Sequence, residues 1–523
     1  MHLLDLPNEL LCFVAGYLPS ERDINNLVRT NRNLHDRLNR YLYRHNVKYS
    51  RSQALLWAAQ HGQVATAQYL LEQKANVEVT RRRRRLTPLR LAVEQGHTAM
   101  AKLLLNGGAN ANSKGGTDRY ALFTASERGF EQIAKALLDH GAEINAQSSH
   151  LGTALKAASS NGHQYVVKLL LDNNADVNIE GGTYESAIAA ASAAGHFHIV
   201  KLLIFKGADV NCGPPHPQLS PPLIKALERK NEEIVRLLLE KGAHANAEGG
   251  HYGNALQVAA NWGQKNIVEL LLDKGAHVNT EGGYYGSALQ AAAYRAGTEV
   301  VKLLLDSGAN INARGGPKGS ALVAACCMGP EEKAHMLLDA GADVNARGVL
   351  CETALHEASR RGFEHVVKRL LDKGADTDVQ HNIYGTALTW ALETGHENTA
   401  RLLIERGADC DVPTEVGYAL QVASAGGYQQ IVTLLLDKGV DIDAQGWQHG
   451  TALHAALNAG HEGIARMLVE KGAKGDIPDK HNKTALETAP EKGYYEIVAL
   501  LTERSACVDS QYGKETVRPA GAE

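Results

Sequence analysis

The stretch Gly253–Asn279, GNALQVAANWGQKNIVELLLDKGAHVN, decides the fold. Ala255, Leu256, Ala259 and Ala260 recur at helical spacing and fall on one side of a short helix. Gly263 predicts its end, because a left-handed C-cap costs little only without a Cβ. A second helix follows with Ile267, Val268, Leu270, Leu271 and Leu272 on its apolar side, and Lys274-Gly275-Ala276 ends it in the same way. His277 to Gly286, with Gly282 and Gly283, suits an extended excursion with tight turns. Both helices fall short of the roughly 12–15 residues at which an isolated helix is even marginal in water. The pair must therefore bury its Leu face against another pair.

The rest of the chain supplies those partners. A small residue or Pro followed by a Leu-like residue opens a unit at Leu55, Leu89, Leu122, Leu155, Ile188, Leu223, Leu256, Leu289, Leu322, Leu355, Leu388, Leu420, Leu453 and Leu486. Most steps are 33 residues and the others 32, 34 or 35. Such a period means a solenoid of about fourteen helix-turn-helix units, stabilised by nearest-neighbour stacking, in place of several globular domains.

Composition narrows the function classes. The 523 residues carry 54 basic and 58 acidic side chains, a formal charge of -4, which provides no general pull toward nucleic acid or anionic membrane. Hydrophobic content is 44% but aromatic content only 5%, so Ala and Leu fill the core. Seven scattered cysteines without a C-x-x-C pair indicate neither a disulfide framework nor a zinc site, and point to a reducing compartment. The start of the chain makes a poor signal peptide, and no apolar run approaches the ~18 residues that span a bilayer. The expected location is cytoplasmic, nuclear or both. No phosphate loop, H-E-x-x-H or G-x-S-x-G is present, so neither a catalytic role nor a cofactor or metal is expected.

Thr451-Ala452-Leu453-His454-Ala455-Ala456, Gly460-His461, Leu468-Val469 and Gly472-Ala473 follow one another in an order that resembles the ankyrin repeat. Thr353-Ala354-Leu355-His356 with Gly374-Ala375-Asp376 does the same. The resemblance covers residues 50–507 and implies two antiparallel helices with a projecting β-hairpin finger in each unit. The usual opening Pro survives only as Pro88 and Pro222. Segments such as Gly249-Gly250-His251-Tyr252-Gly253 and Gly282-Gly283-Tyr284-Tyr285-Gly286 resemble long fungal ankyrin arrays. The fold expected is all-α, with residues 508–523 a loose tail.

Residues 1–48 break the period and predict a small three-helix unit. Leu6-Pro7-Asn8-Glu9-Leu10-Leu11, Tyr17-Leu18, Asp23-Ile24 and Leu27 are similar to the F-box, a family that binds the Skp-type adaptor of cullin-RING ubiquitin ligases. The resemblance implies adaptor contacts at Leu6, Pro7, Leu10, Leu11, Val14 and Leu18. It departs from the family where no Trp closes the motif and Asn31-Arg32-Asn33 stands. The alternative is an N-terminal cap covering the first repeat, in a scaffold with no ubiquitin role.

The period also works as a ruler. His97, His163, His196, His396 and His461 each follow Gly, a helix layer or more apart, and read as turn structure because metal ligands must meet at ~2 Å. Tyr184, Tyr252, Tyr285 and Tyr384 share a register and read as mortar between fingers, or else as target contacts. Arg81–Arg85 is a nuclear-import signal, a patch for an acidic partner or a solvated, self-repelling loop tip, and Gly213-Pro214-Pro215-His216-Pro217 lengthens one finger. Non-repeating residues at the inner-helix ends carry the target expectation. Trp262, Tyr294, Arg295, Met328, Arg360 and Arg361, in the seventh to tenth units, bring the residue types of binding hot spots to the concave groove. The alternative is a set of scattered exposed side chains.

Overall fold

The computed structural model describes residues 11, 38, 44, 46–47, 52–80, 86–114, 119–148, 151–180, 186–213, 220–382, 385–415, 417–446 and 450–504. Among them the chain forms stacked antiparallel helix pairs joined by short excursions, in two compact units, residues 1–250 and 251–523. In the first unit six pairs run from Gln53–Gln60 with Val64–Glu72 to Pro222–Glu228 with Glu232–Glu240. In the second, eight pairs run from Ala255–Trp262 with Lys265–Asp273 to Ala485–Glu491 with the helix over 495–504.

Each inner helix is short because both ends are specified. Asn254 accepts from the Gln257 N–H at 2.9 Å and the Gln257 side chain answers at the Asn254 N–H at 3.0 Å, a reciprocal capping box. Thr353 with His356 and Thr451 with His454 repeat it. The expected left-handed stop is present at Gly263, Gly362 and Gly460, with φ of 69°, 68° and 90°. The eighth and ninth units differ: Ala296 and Gly329 end their inner helices in extended conformation, with ψ of 174° and 170°.

The core is the column of opening leucines with the alanines one turn on. Leu256, Leu289, Leu322, Leu355 and Leu388 are each 1% exposed, and Ala259, Ala292, Ala325, Ala358 and Ala391 are fully buried. Removing one such leucine side chain costs about 2–5 kcal/mol by transfer and cavity terms. Small alanines let neighbouring inner helices approach closely, which explains the low aromatic content.

Fingers close on isolated antiparallel bridges, Gly282 with Gly286 and Gly315 with Gly319 among them. They stack on one another, and two glycines permit it. A Cβ on Gly283 or Gly316, both at positive φ, would run into the carbonyl of Tyr252 or Tyr285 of the preceding finger. An amide ladder fastens the finger bases: Asn345 Oδ1 accepts from the Asp376 N–H at 2.8 Å while its Nδ2 donates to the Gly374 carbonyl at 3.1 Å. Asn279 makes the equivalent bond to the Gly308 carbonyl at 3.0 Å.

Candidate functional site

The inner-helix strip divides into an aromatic part and a charged part. In the seventh and eighth units Trp262 meets Tyr252 edge-on, with ring centroids 6.0 Å apart. Tyr252 stacks on Tyr285 at 6.1 Å and 6°, and Tyr285 touches Tyr294 at 5.5 Å. The two finger tyrosines thus join the two inner-helix aromatics in one row. Tyr285 is buried and behaves as the mortar expected of its register. The exposed Tyr284 adds an edge contact to Tyr285 at 4.9 Å. Burial pushes the Tyr285 phenol up, and the nearby Arg295 guanidinium acts in the opposite sense. Tyr284, Tyr285 and Tyr294 with Pro317 and Ala324 line a cleft of about 80 Å³. Tyr184 and Tyr384 lie outside the described residues.

The ninth to eleventh units carry the charged part. Met328 stands 56% exposed. Glu357, only 3% exposed, is clamped by Lys318 Nζ at 2.8 Å on one oxygen and by Arg360 Nε and Nη2 at 3.0 and 2.9 Å on the other. Burial alone would depress Lys318, but its hydrogen bond and charge contact with Glu357 outweigh that and hold it up. Burial opposes ionisation of Glu357 too, and Lys318 and Arg360 reverse it. The Arg360 guanidinium also lies over the Trp390 ring at 5.9 Å, a cation–π distance. Trp390 in turn meets His356 at 5.7 Å and His381 at 5.0 Å.

Of the six expected target residues, Trp262 and Tyr294 are linked only through Tyr252 and Tyr285, Arg295 is exposed next to Tyr294 and Met328 is exposed further along. Arg360 is shared with Glu357. Arg361 has a structural duty: its Nη1 donates to the Cys326 and Gly329 carbonyls at 3.3 and 2.6 Å. Their neighbours Asn261 and Cys327 are buried.

The turn histidines act as structure. His97, His163, His196, His396 and His461 reach with Nε2 to the carbonyls of Gln60, Glu127, Ser160, Arg360 and Ala425, at 3.0–3.2 Å, each at the end of the preceding inner helix. The sequence reading missed the replacement where that histidine is lacking. The 2%-exposed Lys333 donates from Nζ to the Ala292 and Ala293 carbonyls at 3.4 and 3.2 Å. Its only signal is a lysine in a register that is apolar in all other units but those of Thr66 and Thr399. Among the described residues no group of three His, Cys, Asp or Glu side chains could hold a metal ion, and no helix is long and apolar enough to cross a membrane.

Of the adaptor-facing candidates, Leu11 is helical and 1% exposed, while Leu6, Pro7, Leu10, Val14 and Leu18 lie outside the described residues, as do Arg81–Arg85 and residues 214–217.

A family model described as "Ankyrin repeats (3 copies)" matches residues 26–115, 89–181, 185–282, 283–348, 350–414 and 420–512. The first match begins inside the segment that the sequence reading assigned to the N-terminal unit. Among curated proteins no relative matches. Among solved structures, the human ASB11 ankyrin repeat domain is 28% identical, with 43% of this chain and 99% of that one covered and a TM-score of 0.37. The ankyrin repeat domain of Bcl-3, described as a unique member of the IkappaB protein family, is 26% identical over 42% of this chain and 97% of that one, also with a TM-score of 0.37.

Proposed function

We propose that this chain, which belongs to the ankyrin-repeat family, is the substrate receptor of a cullin-RING ubiquitin ligase. Ankyrin repeats bind proteins, so a protein–protein interaction role follows from the family itself. The finer reading assigns the adaptor to the N-terminal residues Leu6, Pro7, Leu10, Leu11, Val14 and Leu18. It assigns the target to the strip Trp262, Tyr294, Arg295, Met328, Arg360 and Arg361. The observation that carries it is the run Leu6-Pro7-Asn8-Glu9-Leu10-Leu11, an F-box-like start ahead of a repeat array. On this reading the ligase chemistry resides in the partners, and the chain brings adaptor and target together.

One observation favours the second reading, a scaffold whose N-terminal residues cap the array. Leu11 and Leu38 are 1% and 0% exposed. The segment they precede is fastened to the first repeat: Asn46 Oδ1 accepts from the Ala54 N–H at 2.9 Å, and Arg44 Nε donates to Gln73 Oε1 at 3.0 Å. Pull-down of a purified Skp-type adaptor by the full chain and by its Leu10→Asp variant separates the two. Binding by the wild type that the variant loses supports the receptor. No binding by the wild type leaves the scaffold.

A further inference from the structure

The aromatic end of the strip forms a small cleft with one exposed cation, Arg295, beside it. The cleft of about 80 Å³ is roughly half the ~150 Å³ that encloses a benzene ring, a size that suits a short aliphatic side chain. Three tyrosines and Pro317 wall it, and Tyr284 remains 44% exposed at its edge. Met328, 56% exposed in the next unit, adds an adaptable apolar surface of a kind common where proteins bind peptides.

Charge decides what flanks that side chain. Lys318, at the cleft wall, is already neutralised by Glu357 and Glu352 at 2.8 and 3.5 Å. Arg295 is exposed, and among the described residues no carboxylate forms an ion pair with it. The groups close enough to act on the Tyr285 phenol are Arg295 and three other tyrosines, with no carboxylate among them. Among the described residues neither the finger's own Glu281 nor Glu299, four residues on from Arg295, forms an ion pair with it, and both are exposed. A guanidinium without an ion-pair partner beside an aromatic wall favours a carboxylate from outside.

We propose that the Tyr284–Tyr285–Tyr294 cleft, with Arg295 at its rim, docks an acidic linear segment of the partner protein, one Val, Leu or Pro side chain entering the cleft and a nearby Asp or Glu meeting Arg295. The inference deepens the reading of the inner-helix strip as the target site and rests on it. The segment binds extended along the strip and continues over Met328.

Fluorescein-labelled dodecapeptides test it by anisotropy against the full chain. One set has a central Leu flanked by Asp and Glu, a second the same Leu flanked by Lys, and a third a central Gly between acidic flanks. The acidic Leu peptides should bind at least about tenfold more tightly than either other set. Arg295→Glu, a surface change that leaves the core intact, should reverse the charge preference. Ala324→Leu, which fills the cleft, should remove the preference for Leu over Gly without touching the charge. The proposal is overturned if no set binds, if acidic and basic peptides bind alike, or if Arg295→Glu leaves their ratio unchanged. Adaptor pull-down on the same preparations keeps the two proposals apart. Adaptor binding without peptide selectivity sinks only the docking chemistry, and selectivity without adaptor binding sinks only the ligase role.

Discussion

His356 ties the tenth repeat to the eleventh, and its protonation state makes that tie sensitive to pH. Its Nδ1 accepts from the Thr353 backbone N–H at 3.3 Å, which fixes Nδ1 as the unprotonated nitrogen, and Nε2–H donates to the Gly385 carbonyl at 3.1 Å. The ring is 1% exposed. Burial first, with the neighbouring His381 in the same direction, pushes it down to about 4 against the partial opposition of the Gly385 bond. A proton could enter only at Nδ1, at the expense of the bond to the helix N-terminus. The unfolded chain titrates near 6.5, so below that pH it takes up a proton that the folded chain refuses until about 4. Stability is therefore unaffected above pH 6.5, falls as pH drops through the window from 6.5 to 4, and levels off below. The full loss is about 3 kcal/mol, of which about 2 kcal/mol accrues between pH 7 and pH 5.

His356→Gln removes the titration and keeps the geometry, because this chain already uses Gln at the same place. Gln257 accepts from the Asn254 N–H at 3.0 Å and donates from Nε2 to the Thr280 and Gly282 carbonyls at 3.1 and 3.2 Å. Urea unfolding of both proteins at pH 7 and pH 5 should show the wild type losing about 2 kcal/mol more than the variant, with near equality at pH 7. The imidazole Cε1 proton followed by NMR gives the site directly. A His356 midpoint near 6.5, or an equal pH penalty in the variant, would refute the argument.

Three further substitutions probe the tie points between repeats. Lys318→Met leaves the buried Glu357 with Arg360 as its only cation and should cost about 3 kcal/mol, whereas Lys318→Met with Glu357→Leu should recover most of it; a double-mutant cycle from urea melts checks the coupling. Asn345→Ala deletes both rungs of the amide ladder there and should cost about 1 kcal/mol, read as faster hydrogen exchange at the Asp376 amide. Gly283→Ala combines a positive φ of 63° with a collision against the Tyr252 carbonyl; a loss of about 2 kcal/mol and weaker near-UV tyrosine signals are expected, and an unchanged spectrum would mean the fingers do not need that approach.

What could be read from the sequence was whatever recurs. Leu256 and Ala259 declare a core face because their equivalents return every 33 residues, and the turn histidines betray a structural duty for the same reason. Each histidine meets a backbone carbonyl, and every repeat offers one at that point, so the partner needs no signal of its own. The Glu357 clamp has no such periodic mark. Lys318 lies 39 residues before it, on a finger where Tyr252 and Tyr285 hold the register, and Glu357 breaks a mostly apolar inner-helix register, but neither break names its partner until the fold sets the two 2.8 Å apart. Arg361 shows the limit from the other side. Its position and side chain suit a binding hot spot, which is why it belonged to the expected strip. Yet the ninth unit ends its inner helix extended at Gly329, and no turn histidine follows in the tenth, where Phe363 stands. The carbonyls of Cys326 and Gly329 must then find another donor, and Arg361 supplies it. The same deficit in the eighth unit, which ends extended at Ala296, is met by Lys333. A cation that breaks the period is therefore ambiguous until the turn of the preceding repeat is inspected. Arg295 differs here: the seventh unit before it ends at a left-handed Gly263, and its guanidinium has no such duty among the described residues. That contrast is why the docking proposal rests on Arg295 and leaves Arg361 to the fold.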